Sequence, residues 1–305
     1  MNKGAPPLCV IAGPTASGKT ALAVSLAKRT NGAIVNADSA QVYRDLRILS
    51  ARPSDAEMEG VEHLLFGHRD GAIACSAAAW ASEAKAAIAD LRARGKLPIL
   101  VGGTGLYLRT LLDGIAEVPP IDPAIRAEVR AAAVGDNHRR LAEHDPEAAT
   151  RLHANDTVRV ARALEVVLSS GATLSSWQGR TVGGIRDDVG LFGTVLMTDA
   201  ALLASRIDHR FSQMIDGGAL DEVRNLLARN LSPSLPVMRA IGVPEIAAYL
   251  QGDLDLGAMI AAGQRATRQY AKRQRTWFRG QELGLPLEGD ADAALPRLLA
   301  LAKER

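Results

Sequence analysis

The sequence predicts an α/β fold: a P-loop parallel sheet flanked by helices, with a helical insertion domain. Three observations carry this. A short apolar run, Leu8 to Ala12, leads directly into a glycine-rich turn and a helix. Further apolar runs alternate with helical segments, as in sheets covered on both faces. From Pro123 to Ser169 the chain is helical and charge-rich, with no convincing strand, before strand character returns.

Leu8 to Ala12 ends in Gly13-Pro14, the pattern of a buried parallel strand. A helix is expected from about Gly18 to Arg29, with Leu22 and Leu26 one turn apart. Ala33 to Asp38 reads as the next strand, the alanine-rich segment Ala77 to Arg94 as a helix, and Leu97 to Val101 as a third strand. Val118-Pro119-Pro120 breaks this pattern. Gly171 to Asp188 reads as loop, and Val189 to Met197 as a strand that resumes the sheet. The core is therefore expected to comprise residues 1–118 and 189–305, mostly helical after Ala200, with residues 119–188 as the insertion.

A chain of 305 residues with 47% hydrophobic and 23% charged residues suits a globular protein of one or two domains. The formal net charge of +2 does not by itself imply a nucleic-acid partner. Cys9 and Cys75 match no metal or redox spacing, and Cys9 reads as a small buried hydrophobe. The N-terminus shows no leader-like apolar segment, and no run approaches the roughly 20 apolar residues of a membrane helix. A soluble, cytoplasmic protein is expected.

Gly13-Pro14-Thr15-Ala16-Ser17-Gly18-Lys19-Thr20 satisfies G-x-x-x-x-G-K-[ST] at every fixed position. The glycines let several backbone amides point at one anion, and the helix that follows adds its positive end. Lys19 supplies a point charge, and the Thr20 hydroxyl is placed to ligate Mg²⁺. Nucleotide hydrolases normally carry an acid at the end of a second strand. Here Val101 leads instead into Gly102-Gly103-Thr104-Gly105-Leu106-Tyr107. The strand from Ala33 does end in a carboxylate, Asp38, before Ser39-Ala40-Gln41-Val42-Tyr43. A lone Asp there is commonly a helix cap. In an open parallel sheet, however, neighbouring carboxyl ends share one crevice, so Asp38 and Thr104 should face the phosphate loop.

Residues 264 to 279 contain six basic residues and no acid. Arg265, Arg268, Lys272, Arg275 and Arg279 fall on one helical stripe. Tyr270 and Trp277 lie on another face, where core packing is expected. Solvated helix faces usually mix signs to form i,i+4 pairs. A single-sign stripe points instead to an anionic partner such as a phosphate backbone. Arg159 and Arg162 form a smaller basic pair.

GPTASGKT, DSAQVY and GGTGLY, in that order, resemble the tRNA dimethylallyltransferases, also called tRNA delta-2-isopentenylpyrophosphate transferases, of bacterial type. Asn155-Asp156 with Val158 through Glu165 is similar to the family's NDxxRxxRALE helix. Met238 to Gly242, and Arg268 to Gln274 with Trp277-Phe278-Arg279, resemble its C-terminal signatures. The resemblance covers roughly residues 8 to 280. It implies a P-loop core with a helical, tRNA-contacting insertion, and a monomer. It also implies transfer of a dimethylallyl group from its diphosphate to the adenosine amine immediately 3′ of the anticodon. The P-loop would then hold the diphosphate of the prenyl donor rather than ATP.

On this reading Asp38 is the general base, and Lys19, the loop amides, Mg²⁺ and an arginine stabilise the leaving pyrophosphate. Arg210 resembles the family's pyrophosphate-contacting arginine, with Arg206 a weaker candidate. Thr104 would lie where the target nucleotide enters, with Ser39 and Gln41 holding the extruded base. The resemblance further implies tRNA contacts from Asp38, Ala40, Arg126, Val158, Arg159, Val160, Ala161, Arg162 and Arg239, beside the basic stripe.

Two positions depart from the family pattern. Val243-Pro244 stands where an aromatic and a basic or polar residue are usual, and Glu62-His63 where two histidines are frequent, so His63 reads as structural. No zinc-finger pattern is present, and no zinc is expected. A small-molecule kinase, a prenyltransferase acting on free adenine nucleotides and a non-catalytic RNA-binding module are the rival readings.

Overall fold

The structure, a computed structural model, describes residues 4–179, 181–280 and 283–304. The first elements are β1 (Pro7–Ala12), α1 (Lys19–Thr30), β2 (Gly32–Asn36), α2 (Asp55–Met58), β3 (His63–Leu64), α3 (Ala77–Ala93), β4 (Leu97–Gly102) and α4 (Gly105–Asp113). Left-handed Gly18 precedes α1, and left-handed Asn31 ends it. Lys28 and Arg29 in its last turn complement the helix dipole.

There follow β5 (Ile115–Ala116), α5 (Pro123–Ala131), α6 (Val134–His144), α7 (Pro146–Arg151), α8 (Thr157–Ser170), α9 (Leu174–Gln178) and β6 (Thr181–Val182). Asp122, Asp145 and Asp156 cap α5, α7 and α8 through their side chains. Residues 171–188, expected to be loop, contain α9, β6 and a 3₁₀ turn at Arg186–Asp188. The Thr173 hydroxyl caps α9, and β6 exists by antiparallel pairing with distant β5, so neither leaves a periodic signal.

The chain continues through β7 (Gly190–Leu196), α10 (Ala200–Asp216), α11 (Ala219–Ala228), α12 (Val243–Gln251), α13 (Leu256–Gly280), β8 (Leu287–Glu288) and α14 (Ala291–Lys303). It divides into two compact units, Met1–Leu111 with Arg186–Arg305, and Leu112–Ile185.

In the first unit six parallel strands form one sheet in the order β3-β2-β4-β1-β7-β8. Central β1 pairs Val10 with Leu100 on one side and with Gly193 on the other. Cys9, Ile11, Ile34, Ile99 and Phe192 form a core with Leu22 and Leu26 of α1 and Leu298 of α14. Cys9 is thus the buried hydrophobe its apolar run implied. The register brings Ala12 beside Gly102 and Asn36 beside Val101, so the loops after β1, β2 and β4 emerge together.

In the second unit, the core joins Val129 of α5, Leu141 of α6, Ala148 of α7 and Val160, Ala161 and Leu164 of α8. Among the described residues no helix is long and apolar enough to cross a membrane.

Candidate active site

The phosphate loop bends sharply back against β7. Gly13 has φ 148°, and a Cβ there would lie 2.6 Å from the Leu196 carbonyl oxygen, so only glycine fits. Ala16 adopts a left-handed φ of 62°, which aids the wrap of the loop. Lys19 donates from Nζ to the Pro14 carbonyl at 2.9 Å, arching over the loop. Burial lowers the Lys19 pKa to about 8, with Asp38 opposing and Arg210 reinforcing the shift. Pro14 and Ser17 are buried, Gly18 is exposed, and Thr15, Lys19 and Thr20 are partly covered.

The aspartate lies two residues beyond its strand rather than on it. Asn36, fully buried, accepts the Asp38 N–H at 2.9 Å and donates to the Asp38 and Leu65 carbonyls at 3.0 Å each. These bonds turn the chain out of β2 and fix the direction of Asp38. Asp38 Oδ1 in turn accepts the Ala40 N–H at 2.9 Å, shaping the loop. Thr104 Oγ1 accepts the Ser39 N–H at 2.9 Å and donates to Ser39 Oγ at 3.2 Å, so DSAQ and GGTG meet.

Close approach explains the glycines after β4. A Cβ on Gly102 would lie 2.1 Å from the Ala37 backbone, one on Gly103 2.2 Å from Gln274 Nε2, and one on Gly105 2.2 Å from the Trp277 ring. Backbone at Gly102 and a packed ring at Gly105 exclude a larger side chain at those two positions.

A cavity of about 360 Å³ opens beside these loops. Thr15, Ala16, Asp38, Ser39 and Ala40 supply its polar side. Leu46, Leu49, Ile207, Phe211, Met214 and Ile241 supply an apolar wall, and Arg210, Arg239, Tyr270 and Arg273 complete it. The Arg210 surface faces this cavity, and desolvation lowers its pKa, with Glu57 opposing and neighbouring Arg206 adding to the shift. Glu222 of α11 accepts the N–H groups of Arg47, Ile48 and Leu49 at 2.6–2.9 Å and so fixes the loop behind Leu46 and Leu49.

Several expected site residues take other roles. The Gln41 amide nitrogen donates to the Ser50 and Ala51 carbonyls at 3.0 and 2.9 Å, so those donors hold a loop and are not free to grip a base. Thr104 contacts Ser39 and does not itself line the cavity. Val160 and Ala161 are buried in the second unit's core, because α8 turns them inward, and cannot contact RNA. Val158 and Arg159 of the same helix are exposed. Arg162 is partly buried near Arg126 and Arg130, and buried Glu165 pairs with Arg130.

The basic stripe is not uniformly free either. Arg265, Lys272 and Arg279 are exposed, but Arg268 pairs with Asp208 of α10, and Arg275 donates to the Thr198 carbonyl. The balancing acid comes from another helix, where local spacing gives no sign of it. Trp277 packs edge-on against Phe278 and over Gly105, as expected. Tyr270 is not core packing: it lines the cavity, touches Thr104 and Gln274, and has its pKa raised by burial and by Asp38.

His63 sits in β3 with Nδ1 2.8 Å from the Val61 carbonyl, and burial lowers its pKa, in keeping with a structural role. Arg94 and Lys96 hold the neighbouring Glu62 carboxyl down to about 2. Val243 is buried at the start of α12, and Pro244 lies in that helix's first turn, where its missing N–H costs nothing.

Sequence reasoning missed Gln274, Glu222 and Asn36. All three act through backbone groups, and residue type and local spacing do not reveal such partners.

The parallel sheet, the phosphate loop at its carboxyl edge and the aspartate-bearing cavity beside it define an enzyme of the P-loop α/β class. Residues 41–281 match the family model described as IPP transferase. A tRNA dimethylallyltransferase of Sphingopyxis alaskensis is 62% identical over 275 residues, 90% of each chain. Another, of Erythrobacter litoralis, is 58% identical over 281 residues, 90% of this chain and 89% of the relative. The solved tRNA isopentenylpyrophosphate transferase of Bacillus halodurans superposes with a TM-score of 0.71 at 33% identity, covering 98% of this chain and 97% of that one. A eukaryotic dimethylallyltransferase solved acting on tRNA gives 0.77 at 30% identity, over 90% and 70% of the two chains. This chain belongs to the IPP transferase family.

Proposed function

We infer that the protein transfers a dimethylallyl group from dimethylallyl diphosphate to the N6 amine of the adenosine 3′ of the anticodon in tRNA, releasing pyrophosphate. One observation supports this most directly: a single cavity joins phosphate-loop residues Thr15 and Ala16, the Asp38 carboxylate and an apolar wall. The loop suits a diphosphate, and Leu46, Leu49, Ile207 and Phe211 suit a short branched hydrocarbon.

In the displacement, a bond forms between the adenine N6 and the allylic carbon while the carbon–oxygen bond to diphosphate breaks. The bonding pair leaves on the diphosphate oxygen. Asp38, placed on the cavity wall, takes the proton that N6 loses. Lys19 and Arg210 flank the loop and offset the charge that accumulates on the leaving group.

Among the described residues no three His, Cys, Asp or Glu side chains gather as a metal site. The Thr20 hydroxyl, in the first turn of α1 beside the phosphate loop, is the residue that would hold a Mg²⁺ ion. When bound it would neutralise diphosphate charge. The exposed cations of α13 (Arg265, Lys272 and Arg279) and of the second unit (Arg126 and Arg159) offer phosphate contacts to the RNA.

Incubation with labelled dimethylallyl diphosphate or labelled ATP, with and without tRNA, tests the reading. Label should reach tRNA only from the prenyl donor. Label arriving from ATP, or no transfer at all, would overturn it.

A further inference from the structure

Gln274 is the fully inward-facing polar residue of α13. Only 5% exposed, it accepts the Thr15 N–H on Oε1 at 2.9 Å and donates from Nε2 to the Gly103 carbonyl at 2.9 Å. One amide therefore bridges the loops that follow β1 and β4. The next residue braces the same loop from its other side: Arg275 donates to the Thr198 carbonyl, while the Thr198 hydroxyl donates to the Ser17 carbonyl at 3.4 Å.

This geometry has two consequences. The Thr15 amide points at Gln274, so the anion must be held by amides further along the loop. The spacing between the phosphate loop and Gly103-Thr104, which carries Ser39 through the Thr104 hydroxyl, is set by a side chain from a third element. A Cβ at Gly103 would meet Gln274 Nε2 at 2.2 Å, so a side chain there would displace the amide from its bridge.

We propose that Gln274 is a positioning residue that registers the diphosphate-holding loop against the Thr104–Ser39 side of the cavity, acting through the Thr15 N–H and the Gly103 carbonyl. The proposal rests on the functional reading above. Only a group that both accepts and donates can make the bridge. A carboxylate accepts from Thr15 but repels the Gly103 carbonyl, whereas a protonated carboxyl can do both. Burial raises the pKa of a carboxyl placed there.

The test measures Gln274→Leu and Gln274→Glu in two assays: steady-state transfer to tRNA, and calorimetric binding of inorganic pyrophosphate. Gln274→Leu should raise the KM for the prenyl donor and weaken pyrophosphate binding roughly tenfold, and lower Tm because it strands the Thr15 N–H and the Gly103 carbonyl, while tRNA affinity stays near wild type. Gln274→Glu should bind pyrophosphate more weakly still at neutral pH and recover toward wild type as the pH falls. Tyr270, Lys19 and Asp38 are the ionisable neighbours; variant and wild type share them, so the ratio of affinities at each pH is the quantity read. Unchanged pyrophosphate affinity in Gln274→Leu would overturn the proposal. So would losses in both variants that parallel a fall in Tm and show no pH dependence. If wild type binds pyrophosphate but transfers nothing to tRNA, the functional reading fails, while the pyrophosphate assay still decides the role of Gln274.

Discussion

Thr104 Oγ1 accepts the backbone N–H of Ser39 at 2.9 Å, joining two loops that lie 65 residues apart in the chain. It donates in turn to Ser39 Oγ at 3.2 Å, so one hydroxyl both receives and gives. The Asp38 loop is thereby fixed from the neighbouring strand end. Thr104→Val keeps the shape of the side chain but strands the Ser39 N–H, and transfer should fall by roughly tenfold. Thr104→Ser should retain most activity. Steady-state kinetics on both variants checks this, and full activity in Thr104→Val would remove the hydroxyl from this role.

Asp38 is the carboxylate on the polar side of the cavity, next to Ser39 and Ala40. Asp38→Ala should lower kcat by about 10²–10⁴-fold, the usual worth of a placed general base. Affinity for tRNA should stay nearly intact. Single-turnover transfer beside filter binding separates the two, and substantial residual turnover would remove Asp38 from that role.

Burial penalises the Lys19 charge and pushes its pKa down to about 8. A bound diphosphate favours the ammonium form and raises that pKa. Affinity should therefore be full below about pH 8 and decline as the pH rises, since binding must then take up a proton, by up to about tenfold per pH unit. Titration of the prenyl donor across this range should reveal the limb, and Lys19→Met should bind weakly without it.

On α13, exposed Lys272 and Arg265 differ from Arg268, whose charge is already balanced by Asp208. Lys272→Ala and Arg265→Ala should each weaken tRNA binding and flatten the slope of log K against log salt by about 0.7–0.9. Arg268→Ala should change the slope less. Binding isotherms at several salt concentrations test the order, and an unchanged slope in all three would dissociate the helix from RNA.

Gly102→Ala would place a methyl group 2.1 Å from the Ala37 backbone. Neither strand can yield without breaking the register of Asn36 with Val101. The expected cost exceeds about 3 kcal/mol, read as a lower midpoint in urea unfolding. Gly289→Ala, in open space, is the matched control.

The sequence alone determined the parallel sheet, the phosphate loop and the placement of Asp38 near it. Those features rest on local signals: apolar runs, a fixed glycine-lysine spacing, and an acid within reach of a strand end. The stripe on α13 was equally legible as a pattern, since helical periodicity puts Arg265, Lys272 and Arg279 on one face. Tertiary structure alone decided how that pattern is used. It paired Arg268 with Asp208, turned Arg275 toward Thr198, moved Tyr270 from expected packing to the cavity wall, and buried Val160 and Ala161. The bridge from Gln274 to Thr15, whose ends lie 259 positions apart in the chain, has no local trace. Spacing along one helix fixes which residues share a face, but what that face meets depends on chain brought alongside by the packing of the whole core.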